Sequence, residues 1–244
     1  MLSLLGSIVN VLAIAAGSFT GLFWRNISEQ MKTTVLQGIA VTVIVLGISM
    51  ALETDRIIIV IASIALGAML GERWRLEDRM NRFGIWLETK TGAREGGVAQ
   101  AFVTATLIFV VGAVGIVGAL DSGLRGDHTV LYTKSMLDGI TAIFLTSTLG
   151  VGIIFSAVPV FLFQGIITLF AVRIDRLVPP DLMDQLIVEI TGVGGVMIIA
   201  IGIRLLGILN IRVANLLPAL LFTVAIVSIM YYREPLVQFF TGWF

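Results

Sequence analysis

In the stretch "TKSMLDGITA" a lysine and an aspartate, Lys134 and Asp138, stand four residues apart at the start of a long oily run. On a helix this spacing puts both groups on one face, near enough to pair. An ionisable group inside a membrane segment is costly, and it serves as a proton carrier, a cation ligand or an ion-pair partner. Gly139 beside Asp138 leaves room for a second backbone or a ligand. Two amides, Asn10 in the first oily run and Gln164 in "PVFLFQG", add neutral oxygen and N–H groups of the kind that coordinate a solute or bond between helices. Glu189, one turn into a later run, and Asp121, in the loop "LDSGLRGDH", complete the candidate set. The resulting carboxylates are hard oxygen ligands, better suited to Mn, Ca or Mg than to soft metals.

These groups are rare in their surroundings. Of the 244 residues, 57% are apolar and 13% are charged, and the mean hydropathy is +1.02. Too little polar surface is available for a soluble globule of this size. The chain reads as an integral membrane protein, all-α, a polytopic helical bundle of seven to eight helices forming one transmembrane domain over 1–244. Formal net charge is zero, so nothing points to nucleic acid. No Cys is present, which excludes disulfides, thiolate metal sites and a cysteine nucleophile. A single His128 builds no histidine cluster, and no cofactor is called for.

About 20 apolar residues cross a bilayer as a helix. Spans are predicted near 2–24, 33–52, 56–71, 98–119, 135–156, 158–173, 186–206 and 213–232, the third and sixth being short. The first, with no Lys or Arg ahead of it, reads as a retained span and not a signal peptide. Pro159 removes a backbone donor and restricts the residue before it. The fifth and sixth spans are therefore expected to form a hairpin turning at Ser156–Pro159.

The connector over 72–97 holds Arg73, Arg75, Arg79, Arg82, Lys90 and Arg94, the densest basic cluster in the chain. The positive-inside rule places it in the cytoplasm and the N-terminus outside. Counting crossings from there puts ten of the sixteen basic residues inside, including Arg25, Lys32, Arg204 and Arg212. Within the connector Leu76, Met80, Phe83 and Leu87 form an apolar stripe, as in an amphipathic helix lying on the bilayer.

Small residues line several helix faces: Gly6, Asn10, Ala13, Gly17 and Gly21 on the first span, Ser63, Gly67 and Gly71 on the third, Thr148, Gly152 and Ser156 on the fifth. Such faces let helices approach closely in lipid, either within the chain or between copies in a homo-oligomer. Spans one to three and six to eight share an order of lengths, and "TVIVLGISMAL" near 43–52 is echoed by "MIIAIGIRLL" near 197–206. Five spans separate equivalent starts, so the two halves would face opposite ways, the inverted-repeat plan of many transporters.

"GSIVN" at 6–10, "VGALDSGLRGDHTVLYTKSMLDGITA" at 117–142 and "SAVPVFLFQGIITL" at 156–169 resemble the bacterial membrane family called domain of unknown function 554. The resemblance implies a multi-spanning inner-membrane protein of transporter type and brings no substrate and no catalytic residues. The leading expectation is a secondary transporter of a small solute, a divalent cation or a proton-coupled substrate. Asp138, Glu189, Asn10, Gln164, Asp121 and Lys134 would form its binding site, with the lipid bilayer and the solute as partners. The alternative is an assembly or regulatory protein acting through its Gly-rich faces. An enzyme is not expected: neither a Gly-x-Ser-x-Gly elbow nor a His-Glu-x-x-His motif occurs, and a Ser135–Lys134 dyad is the one catalytic pairing on offer.

Overall fold

The computed structural model describes residues 2–23, 29–91 and 97–241. Ten α-helices follow one another among them: α1 Leu5–Phe23, α2 Glu29–Ala51, α3 Ile57–Trp74, α4 Leu76–Thr91, α5 Val98–Val110, α6 Ala113–Leu124, α7 Thr129–Leu149, α8 Ala157–Leu177, α9 Pro180–Leu205 and α10 Ala219–Thr241. Six segments are long and apolar enough to cross a bilayer, and α5–α6, bent by 61° at its break, makes a seventh. With α7, which carries Lys134 and Asp138 and is less apolar for it, the bundle matches the predicted polytopic architecture.

Close packing places α7 in the bundle. Its Leu131, Gly139 and Ala142, and Thr146 meet Gly6, Gly17 and Gly21 of α1 in that order, so the two helices run parallel. A Cβ on Gly17 would run into the carbonyl of Gly139, and one on Gly21 into that of Ile143. The small-residue face of α1 is thus used inside the chain, as are Gly67 and Gly71 of α3 against Ala219 and Asn215, because van der Waals contact between close backbones is a main source of helix association in lipid.

The contacts of α2 with α9 are reciprocal, as the repeat expected from the sequence requires. A Cβ on Gly47 would lie 2.8 Å from the Gly195 carbonyl and 2.8 Å from the Ile199 nitrogen. A Cβ on Gly202 would lie 2.9 Å from the Ala40 carbonyl and 3.2 Å from the Ile44 nitrogen. Exchanging Gly47 for Gly202, Gly195 for Ala40 and Ile199 for Ile44 turns one set of contacts into the other. The helices run antiparallel, as do α1 with α8 and α3 with α10, so each helix of the first half packs on its counterpart in the second.

Two breaks interrupt the spans, and both fall at glycines whose backbone other residues rarely adopt: Gly112 with φ 134° and Gly150 with φ 83°. The second corrects the hairpin expected at Ser156–Pro159. The chain reverses at Gly150, passes through a 3-10 segment, Val151–Ser156, and enters α8 at Ala157. Pro159 is the third residue of α8, where helix N–H groups have no intrahelical acceptor and its missing donor costs nothing.

Helix α4 is packed onto the protein: Gly84 is covered by Ala99, the Phe83 ring lies tilted 5.5 Å from that of Phe102, and Met80 packs on the core. Its Glu77, 8% exposed, is buried and accepts from Arg204 at 2.6 Å and from the Ala214 N–H at 3.0 Å. Asn215 completes the clasp, its Oδ1 accepting from the Glu77 N–H at 2.8 Å and its Nδ2 donating to Glu72 at 2.5 Å. Replacing Glu77 by Ala is expected to lower stability by about 2–3 kcal/mol, the worth of lost charge-assisted bonds, and Gln to recover part of it, as read from thermal unfolding in detergent. Of the basic residues that set the expected orientation, Arg25 and Arg94 lie outside the described residues.

Candidate functional site: a buried ion pair between two amides

The site lies where α1, α7 and α8 meet. Lys134 Nζ donates to both oxygens of Asp138, at 2.9 and 2.7 Å, and the residues are 8% and 6% exposed. Gly115 of α6 makes room for the lysine stem: a Cβ there would lie 3.4 Å from the Lys134 Cε. The one-turn spacing in α7 closes the pair within a single helix, and the glycine contact of α1 on α7 brings a third group to it.

That group is Asn10, fully buried. Its Nδ2 donates to Asp138 Oδ2 at 3.1 Å and to Gln164 Oε1 at 3.3 Å, joining α7 and α8 through α1. Each amide is left half used. Asn10 Oδ1 and Gln164 Nε2 are buried with no hydrogen-bond partner in the protein, one acceptor and one donor next to an ion pair. The hydroxyls of Ser7 and Ser18 on α1 and Thr146 on α7 are also buried without a partner. Unmet polar groups of this kind cost roughly 1–3 kcal/mol each, which a packed membrane protein tolerates where they are used.

Four of the six residues singled out from the sequence, Asn10, Lys134, Asp138 and Gln164, therefore converge. Glu189 and Asp121 do not. Glu189 of α9, 3% exposed, accepts from the Thr54 hydroxyl at 2.6 Å and lines a separate cavity of about 300 Å³ with Asp55, Arg56, Asp184 and Gln185. Asp121 sits at the end of α6 in an ion pair with exposed Arg125, 3.4 Å away. Nearby, the Thr129 N–H bonds to Asp127 at 2.9 Å and holds that exposed carboxyl below its usual range. Ser122 binds His128 Nδ1 at 2.6 Å, tying α6 to the start of α7.

Two points of chemistry follow. Among the described residues no group of three or more His, Asp or Glu is placed to hold a metal ion, although Asp55, Asp184 and Glu189 line one cavity. The Ser135 hydroxyl donates to the Leu131 carbonyl at 2.6 Å, a bond back to its own helix and not to Lys134. The Glu77 clasp escaped the sequence reading because a carboxylate in a charged connector carries no mark of burial; its one signal was the place it takes beside Leu76 and Met80.

Two curated relatives align along nearly the whole chain. The uncharacterized membrane protein YdfK of Bacillus subtilis (strain 168) is 35% identical over 231 residues, covering 93% of this chain and 96% of its own. The uncharacterized protein YqgA of Escherichia coli (strain K12) is 26% identical over 246 residues, covering 98% and 99%. No solved structure matches. The family model described as "Protein of unknown function (DUF554)" matches residues 5–228, which include every residue of the site. The chain is thus a member of the DUF554 family of membrane proteins.

Proposed function

We propose that this protein is a secondary transporter of a small solute in the bacterial inner membrane, a carrier and not an enzyme. Its site is the Asn10, Lys134, Asp138 and Gln164 cluster. The observation that carries this reading is the pair of half-used amides flanking a buried ion pair at a crossing of three helices. Two of those helices, α1 and α8, are counterparts in oppositely facing halves. Rocking one half against the other would expose the same crossing to either side in turn.

The solute suited to this cluster is small and carries at most one positive charge. A single carboxylate already balanced by an ammonium offers little to a divalent ion, and the other carboxylates lie elsewhere. The basic side chains of α4 favour a cytoplasmic connector and an external N-terminus, and the cluster then lies in the outer half of the bilayer. Purified protein in proteoliposomes, tested against alkali cations, protons and small metabolites under imposed gradients, provides the test. The expected result is uptake that Asp138→Asn abolishes and Asn10→Ala slows about tenfold to hundredfold, the rate equivalent of one charge-assisted hydrogen bond of about 1.5–3 kcal/mol. Wild-type vesicles that move none of these, or uptake unchanged in Asp138→Asn, would reject the proposal.

A further inference from the structure

Resting on that reading, the geometry points to Lys134 as a built-in stand-in for the transported ion: the solute is a small monovalent metal cation, and it takes the ammonium's place on Asp138 in exchange for one proton. The Nζ contacts both carboxylate oxygens at 2.9 and 2.7 Å, the position a bound cation would occupy. The two oxygens of Asp138 hold that position, and the amides beside the pair add Oε1 of Gln164 and Oδ1 of Asn10, neither of them bonded to the ammonium and the second without a partner in the protein. Hard neutral and anionic oxygens of this kind suit Na+ and its congeners. Turning the Asn10 amide over presents its free oxygen, and the cation then takes the place of the two bonds that Nδ2 makes to Asp138 and Gln164.

Charge decides the stoichiometry. The facing groups on α1 and α8 are the Asn10 and Gln164 amides, and α6 faces the pair with Gly115, so the ion pair's own two groups set the charge there. Two full positive charges on one carboxylate are strongly disfavoured in such dry surroundings. When the cation binds, the Lys134 ammonium gives one proton to water, the broken N–H bond leaving its electron pair on Nζ. The site holds one negative and one positive charge before and after. On release of the cation a proton returns to the amine. One cation therefore exchanges for one proton, and the cycle moves no net charge.

The test follows protons and cations separately. NaCl is added to weakly buffered purified protein, with choline chloride as control; bound 22Na+ is counted and proton release is followed with a pH dye. Wild type is expected to release one proton for each cation bound, and its exchange in proteoliposomes to ignore an imposed membrane potential. In Lys134→Gln the cation should bind without proton release and its flux should follow the potential. Lys134→Gln combined with Asp138→Asn removes both charges, so it keeps the fold if the single variant does not; it should neither bind the cation nor release protons.

Cation binding by wild type without proton release overturns the exchange while leaving transport standing. So does carriage of another solute with no alkali-cation binding, or undiminished cation binding in the double variant. Stoichiometric exchange at the site without movement across vesicles would instead refute transport and keep the exchange.

Discussion

Lys134→Met alone, or Asp138→Leu alone, is expected to destabilise the protein by about 3–5 kcal/mol, while the two together cost little or stabilise it, because a buried charge without its partner is penalised far more than a missing pair. The pair is 2.7 Å apart with both side chains about a tenth exposed, so little solvent is available to screen whichever charge remains. Asn10 would soften the loss of Lys134, since its Nδ2 already bonds Asp138. The lysine substitution should therefore be the milder single change. Denaturation of detergent-solubilised variants, assembled into a double-mutant cycle, measures this. A double variant as unstable as the sum of the singles would show that the ion pair contributes no coupling.

The second large effect concerns backbones and not charge. Gly17→Ala and Gly195→Ala each place a methyl group against a main chain: the Gly139 carbonyl in the first case, the Ala51 nitrogen and Gly47 carbonyl in the second. Main chain cannot rotate aside as a side chain can, so either substitution should cost more than about 3 kcal/mol, at or beyond the upper end of ordinary overpacking. Gly38→Ala supplies the contrast, since a Cβ there meets nothing within 4 Å. Relief of glycine's backbone entropy should make that change neutral or stabilising by about 0.5–1 kcal/mol. Melting temperatures of the three variants, which share one chemical change, test the packing directly. Gly195→Ala as stable as Gly38→Ala would mean that α2 and α9 do not approach as closely as described.

The ion pair was legible in the letters because its spacing is a property of one helix, and Asn10 and Gln164 stood out because amides are rare in oily spans. The error over Glu189 has a different origin. Distance from a helix end says how deep a residue lies but not which helices stand beside it, and α9 pairs with α2 and not with α1 or α7. The misplaced turn shows a similar limit. Pro159 looked like a breaker, yet proline is harmless in a first helical turn, and the residue that reverses the chain, Gly150, is one of 26 glycines. The repeat was faint as text and clear as contact, because only a few positions, Gly47 and Gly202 foremost, must match for two helices to pack reciprocally.

The partners of Asn10 lie 128 and 154 residues further along the chain. As the protein is made, the first helix enters the bilayer with its amide facing nothing that can satisfy it, and it must wait through most of synthesis for α7 and then α8 to arrive. Insertion of the N-terminal half is therefore provisional: its helices are in place long before they are locked. A ribosome stalled after α6 would hold a chain whose α1 still lacks both its close backbone contacts with α7 and the acceptors for Asn10.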